Sequence, residues 1–156
     1  MLTEVCQYLH NWFDRKPDGG YYPKYTGIFT ISGGELLDLD GQLASGQYIR
    51  IMGSLFNEGV HKYLDEADVL KDESFNGAVW TMGIPPAFIG LVDEIAAWQA
   101  KNGSVDSAAM SPFTSESFGG YSYSKGGGTV YADGSTSAVT WQSAYLSRLA
   151  PWRKLP

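Results

Sequence analysis

The sequence predicts an α+β fold: a core of three main helices, with a small antiparallel β-sheet inserted between the first and the second. Three observations predict it. Apolar residues recur at three- and four-residue steps near the start, past the middle and near the end of the chain. Between residues 20 and 83 short β-type runs alternate with turn clusters. The composition, 44% hydrophobic and 18% charged over 156 residues, supports one packed domain that needs no disulfide.

The first helix is read from Thr3 to Phe13. Leu2, Cys6, Leu9 and Phe13 share a face, Thr3 is placed to cap the start, and Pro17-Asp18-Gly19-Gly20 ends the segment. Strands follow at Tyr25–Ile31, Tyr48–Met52, Val60–Tyr63 and Ala78–Met82, separated by clusters such as Ser32-Gly33-Gly34. In the second of these runs Arg50 interrupts apolar neighbours. Pro85-Pro86 then opens the best helix of the chain, which runs to about Asn102. Proline is tolerated in a first helical turn, where its missing N–H would have no partner. Phe88, Leu91, Val92, Ile95 and Trp98 form its apolar stripe, and Gly103 is a natural stop. Residues 104–136 are rich in Ser, Gly and Thr, a long irregular stretch of the kind that serves contacts. A last helix starts near Ser137, carries Trp141, Tyr145 and Leu149 along one side, and is ended by Pro151. The chain is thus read as a single domain, 1–156, with a β-rich insertion at 20–83 and a C-terminal docking tail at 150–156.

Charge is unevenly spread. The net of −6 divides into −9 over residues 1–135 and +3 over residues 136–156, where Arg148, Arg153 and Lys154 meet no acid. An acidic body is a poor grip for nucleic acid, which needs clustered cations, though it suits letting a polyanion slide past. A negative surface that merely maintains solubility explains the balance as simply. Cys6 is the lone cysteine, which fits a reducing compartment. No run approaches 18 apolar residues, so a membrane partner is not expected.

Catalytic and metal-binding patterns are sparse, and the expectation is no catalytic residue, no metal and no cofactor. Cys6 and His10 are four apart, but a metal needs further ligands and His61 is the other histidine. They read as a core thiol and a surface imidazole. Asp38-Leu39-Asp40-Gly41 fails as a calcium loop, because Leu36 and Gln47 would fall at its first and twelfth positions. Ser122-Tyr123-Ser124-Lys125 fits a bare Ser-x-x-Lys pattern, yet sits in a glycine-rich stretch instead of a helix start. Glu116 has no histidine near it, and the pairs Asp65/Glu66 and Asp72/Glu73 read as solvated turn acids.

Twenty-two residues are Trp, Tyr or Phe. They suit sugar-stacking platforms or a protein interface, where Tyr, Trp and Arg are enriched. Trp152-Arg153-Lys154-Leu155-Pro156 favours the interface, joining a rigid aromatic, a bidentate cation and an aliphatic residue beyond a helix stop. Physics alone leaves open whether this tail folds back on its own domain or inserts into a neighbour.

The apolar helix from Pro85, the segment Ser115-Glu116-Ser117-Phe118-Gly119-Gly120-Tyr121-Ser122-Tyr123 and the Trp141–Leu155 helix and tail together resemble the head–tail connector, or head-completion adaptor, family of long-tailed bacteriophages. The resemblance covers residues 85–156, about half the chain, with the N-terminal helix in a matching role. It rests more on the order of parts than on any one residue. It implies a non-enzymatic virion protein with a helical adaptor core, assembled in the bacterial host cytoplasm. It implies a homo-oligomeric ring, typically of twelve subunits, beneath the portal, extending the DNA channel and docking the next neck, stopper or tail protein. DNA would pass without specific binding. Trp152, Arg153, Lys154, Leu155 and Pro156 would engage the portal protein. Ser115, Glu116, Ser117, Phe118, Gly119, Gly120, Tyr121 and Tyr123 would hold ring neighbours together. The block from about Gly20 to Gly83 departs from the simplest helical members, and we expect it to form a peripheral sheet. The runner-up expectation is a carbohydrate- or receptor-binding module that uses its aromatics.

Overall fold

The computed structural model describes residues 1–103, 115–118, 121–124 and 139–154. These form two compact units, Leu2–Phe88 with Lys154, and Ile89–Arg153 with Met1.

The first unit is dominated by one curled, five-stranded antiparallel sheet, a half-barrel. Its strands are β1 (Lys24–Ser32), β2 (Glu35–Leu36), β3 (Tyr48–Met52), β4 (Gly59–Lys62) and β5 (Glu73–Met82), in the spatial order β2-β1-β5-β3-β4. A seven-residue helix, α1 (Leu2–Tyr8), precedes them. Gly33 (φ 60°) and Gly34 (φ 84°) make the two-residue turn from β1 to β2, a left-handed pair that matches the twist of a hairpin. Alternation builds the core: Phe29, Ile31, Ile49, Ile51, Phe75 and Val79 all point to one face. Leu36, Leu39, Tyr63 and Leu70 close over them. Gly77 is required where β5 meets the end of β3, since a Cβ there would lie 1.9 Å from the Met52 carbonyl oxygen.

The second unit is helical. α2 (Pro86–Asn102) opens in the first unit and continues here from Ile89. Leu91, Val92 and Ile95 are buried, as are Val139, Trp141 and Leu149. Two four-residue helices, α3 (Trp141–Ala144) and α4 (Leu146–Leu149), are followed by a 3-10 turn at Ala150–Trp152. Thr140 and Ser143 form a reciprocal capping box at the start of α3. Trp98 and Tyr145 meet edge to face, 6.4 Å between centroids, and the Arg148 guanidinium grips both oxygens of Glu94 at 2.5 and 3.0 Å. A separate hairpin pairs β6 (Ser115–Phe118) with β7 (Tyr121–Ser124).

The fold class is therefore not a three-helix core carrying a small inserted sheet. The block from residue 20 to 83 is the main body, and among the described residues only α2 is a long helix. The reason is that the sheet closes a core of its own, so it does not depend on helices to bury its apolar face. The helices are shorter than expected for local reasons. α1 stops at Tyr8 because His10 and Phe13 take left-handed backbone angles, φ 52° and 48°. The last helix breaks at Tyr145, whose φ of −109° and ψ of 11° leave the helical region. Thr3 does not cap α1 either. It lies inside the helix, and its hydroxyl accepts from the Val60 N–H at 2.9 Å, blunting the β4 edge of the sheet. The β-runs themselves lie where the pattern put them, with β5 five residues longer at its start.

Candidate functional site

Two built features stand out in the β unit. The first is a row of alternating cations and aromatic rings. Lys24 on β1 and Arg50 on β3 both pair in register with Trp80 on β5, so the three side chains share the face opposite the core. The Arg50 guanidinium carbon lies 3.5 Å from the centroid of Trp12 and 5.2 Å from that of Trp80. The Lys24 ammonium lies 3.9 Å from the Trp80 centroid and 5.5 Å from that of Tyr21. Arg15 continues the row over Tyr21 at 5.2 Å, and Lys16 lies 5.8 Å from Tyr22. Cation–π attraction of this kind contributes about 0.5–2 kcal/mol per contact, more where water is displaced. Partial burial lowers the pKa of Arg50, against the opposing pull of Glu58 and Cys6.

Asp14 anchors this row. Its carboxylate accepts from Lys24 at 2.8 Å and from Lys154 at 3.1 Å. Burial alone would raise the Asp14 pKa, but the two lysine bonds outweigh it and hold the carboxyl below its ordinary value. The backbone around it is pinned too: the Tyr22 N–H donates to the Asp14 carbonyl and the Gly83 N–H to that of Phe13, both at 2.9 Å. Trp12 thus sits between two left-handed residues on a fixed segment, the kind of strained backbone that gathers at functional sites.

The second feature is the loop joining β3 to β4. Leu55 is 81% exposed and Phe56 58%, yet the loop that carries them is tightly held. The Glu73 carboxylate accepts from the N–H groups of Leu55 and Phe56, the Ser54 hydroxyl and the Asn57 amide. Burial opposes its ionisation, and these four donors overcome it, keeping Glu73 below the usual glutamate pKa. Glu58 adds an acceptor for the Gly53 N–H at 2.7 Å. The result is a pre-organised apolar tip, which would lose little conformational entropy in any contact it made.

The residues expected to carry partner contacts are placed as follows. Trp152 is half-buried in the 3-10 turn and Arg153 is exposed. Lys154 turns back on its own chain, donating its N–H to the Leu9 carbonyl at 3.1 Å as well as its ammonium to Asp14. Leu155, Pro156, Gly119 and Gly120 lie outside the described residues. Ser115, Glu116, Ser117 and Phe118 form β6, with Tyr121 and Tyr123 on β7. Ser122 is in that same strand, so it does not begin a helix as Ser-x-x-Lys chemistry requires. Cys6 is fully buried, and desolvation pushes its thiol up to about 12, partly countered by Arg50. Among the described residues no group of three His, Cys, Asp or Glu is placed to hold a metal ion, and no helix is long and apolar enough to cross a membrane.

Sequence reasoning missed Trp12, Asp14, Glu73 and Trp80. The pair Asp72/Glu73 does more than meet solvent: Asp72 accepts from the Gly33 N–H at 2.8 Å while Glu73 organises the Ser54–Asn57 loop. Asp65 likewise takes the Lys62 ammonium at 2.7 Å and the Ala67 N–H at 2.9 Å. The break that Arg50 makes in its apolar run was the one local signal of the row. No family model, curated protein or solved structure matches the chain.

Proposed function

We propose that the chain is a structural head–tail adaptor of a long-tailed phage virion. It forms a ring below the portal, extends the DNA channel and docks the next neck or tail component. The observation that carries this reading is the hairpin. The Glu-Ser-Phe-Gly-Gly-Tyr-Ser-Tyr motif behind the resemblance pairs Glu116 with Tyr123 and Phe118 with Tyr121, in a sheet of two strands among the described residues. Such a hairpin is marginal in water by itself, which suits a segment that gains its remaining contacts from a ring neighbour. The rigid Leu55-Phe56 tip supports a docking role, and the acidic body suits a channel that must not hold DNA. The sugar-binding alternative has less support, because Trp12, Trp80 and Tyr21 already carry cations from their own chain.

The test is light scattering and electron microscopy of the purified chain, alone and mixed with portal rings. Assembly into rings on the portal is expected. Arg153→Glu is expected to abolish portal binding, with circular dichroism checking that the chain remains folded. A chain that stays strictly monomeric in the presence of portal overturns the proposal.

A further inference from the structure

We infer that copies of this chain join head to tail through two unlike surfaces of the β unit, the cation–aromatic row of one copy seating on an acid-rimmed apolar groove of the next. The inference rests on the reading of the chain as a self-assembling subunit and names the surfaces that reading leaves unassigned.

The groove lies at the far end of β1 from the row. Two adjoining cavities, of about 180 and 250 Å³, share Leu64 as a common wall. Leu37 and Val69 are exposed apolar lips on either side, and the buried Leu36 and Leu39 line the floor. Leu64 itself is exposed and held at φ 56°, a left-handed angle that a branched aliphatic residue adopts only where the surroundings impose it. An exposed apolar strip of this kind, rimmed by charge, marks a protein contact.

Charge identifies the occupant. Glu35, Asp40 and Glu66 line the groove and have no ion-pair partner among the described residues. Arg15 and Lys16 in the row have none either; their described side-chain partners are aromatic rings. Three carboxylates without an ion-pair partner therefore face outward at one pole and two such cations, Arg15 and Lys16, stand at the other. The row presents rigid aromatic bodies between its cations, which suits an apolar floor with an acidic rim.

One copy cannot satisfy itself. Lys24 and Ser32 are the two ends of β1, a nine-residue strand, so the poles are separated by about 26 Å of extended backbone. A head-to-tail contact joins unlike poles of successive copies and propagates until it closes into a ring or runs on as a filament, whereas an antiparallel two-fold pair would stop at a dimer, which sedimentation velocity distinguishes.

The experiment is sedimentation velocity of the full chain over a range of concentrations and salt, with exposed residues reversed in charge. The row variant is Arg15→Glu with Lys16→Glu; the groove variant is Glu35→Lys with Glu66→Lys. Each alone is expected to raise the half-assembly concentration at least about tenfold at low salt, with circular dichroism unchanged. Mixing the two is expected to restore assembly, because each then supplies the pole that fits the other; a merely damaged fold would not be rescued this way. If both variants assemble like the wild type, the inference falls and the adaptor proposal stands. A wild-type chain that never self-associates, even with portal, overturns both. If the row variant keeps self-association but loses binding to a mixed-sequence DNA oligonucleotide, the row serves nucleic acid and the inference also falls.

Discussion

The five-stranded sheet and the two-stranded hairpin use the same material, short antiparallel strands in regular register, but they differ in what they can finish alone. The five-stranded sheet curls far enough to enclose Phe29, Ile49, Ile51 and Val79, and its β4 edge is met by the Thr3 hydroxyl. Among the described residues the hairpin has two strands and no third to widen it. Burial of apolar area stabilises the first by roughly 1.5–3 kcal/mol per side chain, while a lone hairpin barely offsets its own ordering. The contrast teaches a division of labour: one sheet closes a core of its own, and the other, on the adaptor proposal, would gain its remaining contacts from a neighbour.

The largest effect should come from the sheet that owns the core. Ile51 has no exposed surface and sits between β4 and β5. Ile51→Ala is expected to cost about 2–5 kcal/mol in urea unfolding, through lost burial and the cavity left behind. A loss below about 1 kcal/mol would mean that the core is loosely packed and the contrast with the hairpin overdrawn.

Next comes acid. Asp14 and Glu73 both titrate below their ordinary values in the folded chain. A lowered folded pKa means the unfolded state binds protons first, so the stabilisation is complete above the unfolded values and is lost as pH falls through the folded ones. Stability should therefore hold from neutrality to about pH 5 and decline below about pH 4. Asp14→Asn is expected to flatten that decline and to lower stability at pH 7 by about 1–2 kcal/mol, a modest figure because both lysines are part exposed. Urea midpoints at pH 7 and pH 3 check both statements. In the helical unit, Thr140→Ala removes the cap of α3 and should cost about 1 kcal/mol, read as faster amide exchange at Ser143.

Much of the sheet could be read from the sequence because its signal is local. Tyr48–Met52 alternates outward Tyr48, Arg50 and Met52 with inward Ile49 and Ile51, and the strand occupies those five residues. What could not be read was the balance between sheet and helices, since that depends on Leu36, Leu39, Tyr63 and Leu70 closing over the core from separate turns. The helical pattern at the N-terminus was real, yet two left-handed residues cut it short, and nothing in Asn11-Trp12-Phe13 announces that by type. The cation–aromatic row was hidden for a similar reason. Lys24, Arg50 and Trp80 are brought together only by the register of three strands, with Trp12 joining them from the segment after α1, and each taken alone is an ordinary surface residue. Glu73 looked like a solvated acid because its four donors lie 16 to 19 residues away in a loop whose shape it dictates.

The smallest expected effect on stability is the most informative about the hairpin. Tyr123 stands opposite Glu116, and Phe118 opposite Tyr121. A cross-strand pair contributes about 0.2–1 kcal/mol within a sheet that is already stable, and less in one that is not. Tyr123→Ala should therefore change the unfolding free energy of the monomer by no more than about 0.5 kcal/mol. On the proposal that the hairpin meets a ring neighbour, the same change is expected to weaken ring assembly by tenfold or more, as truncation of an interface aromatic can. Measuring both on one preparation separates the two sheets. A monomer destabilised by about 2 kcal/mol with assembly intact would place the hairpin in the chain's own packing, and the role of neighbour contact would pass to the row and the groove.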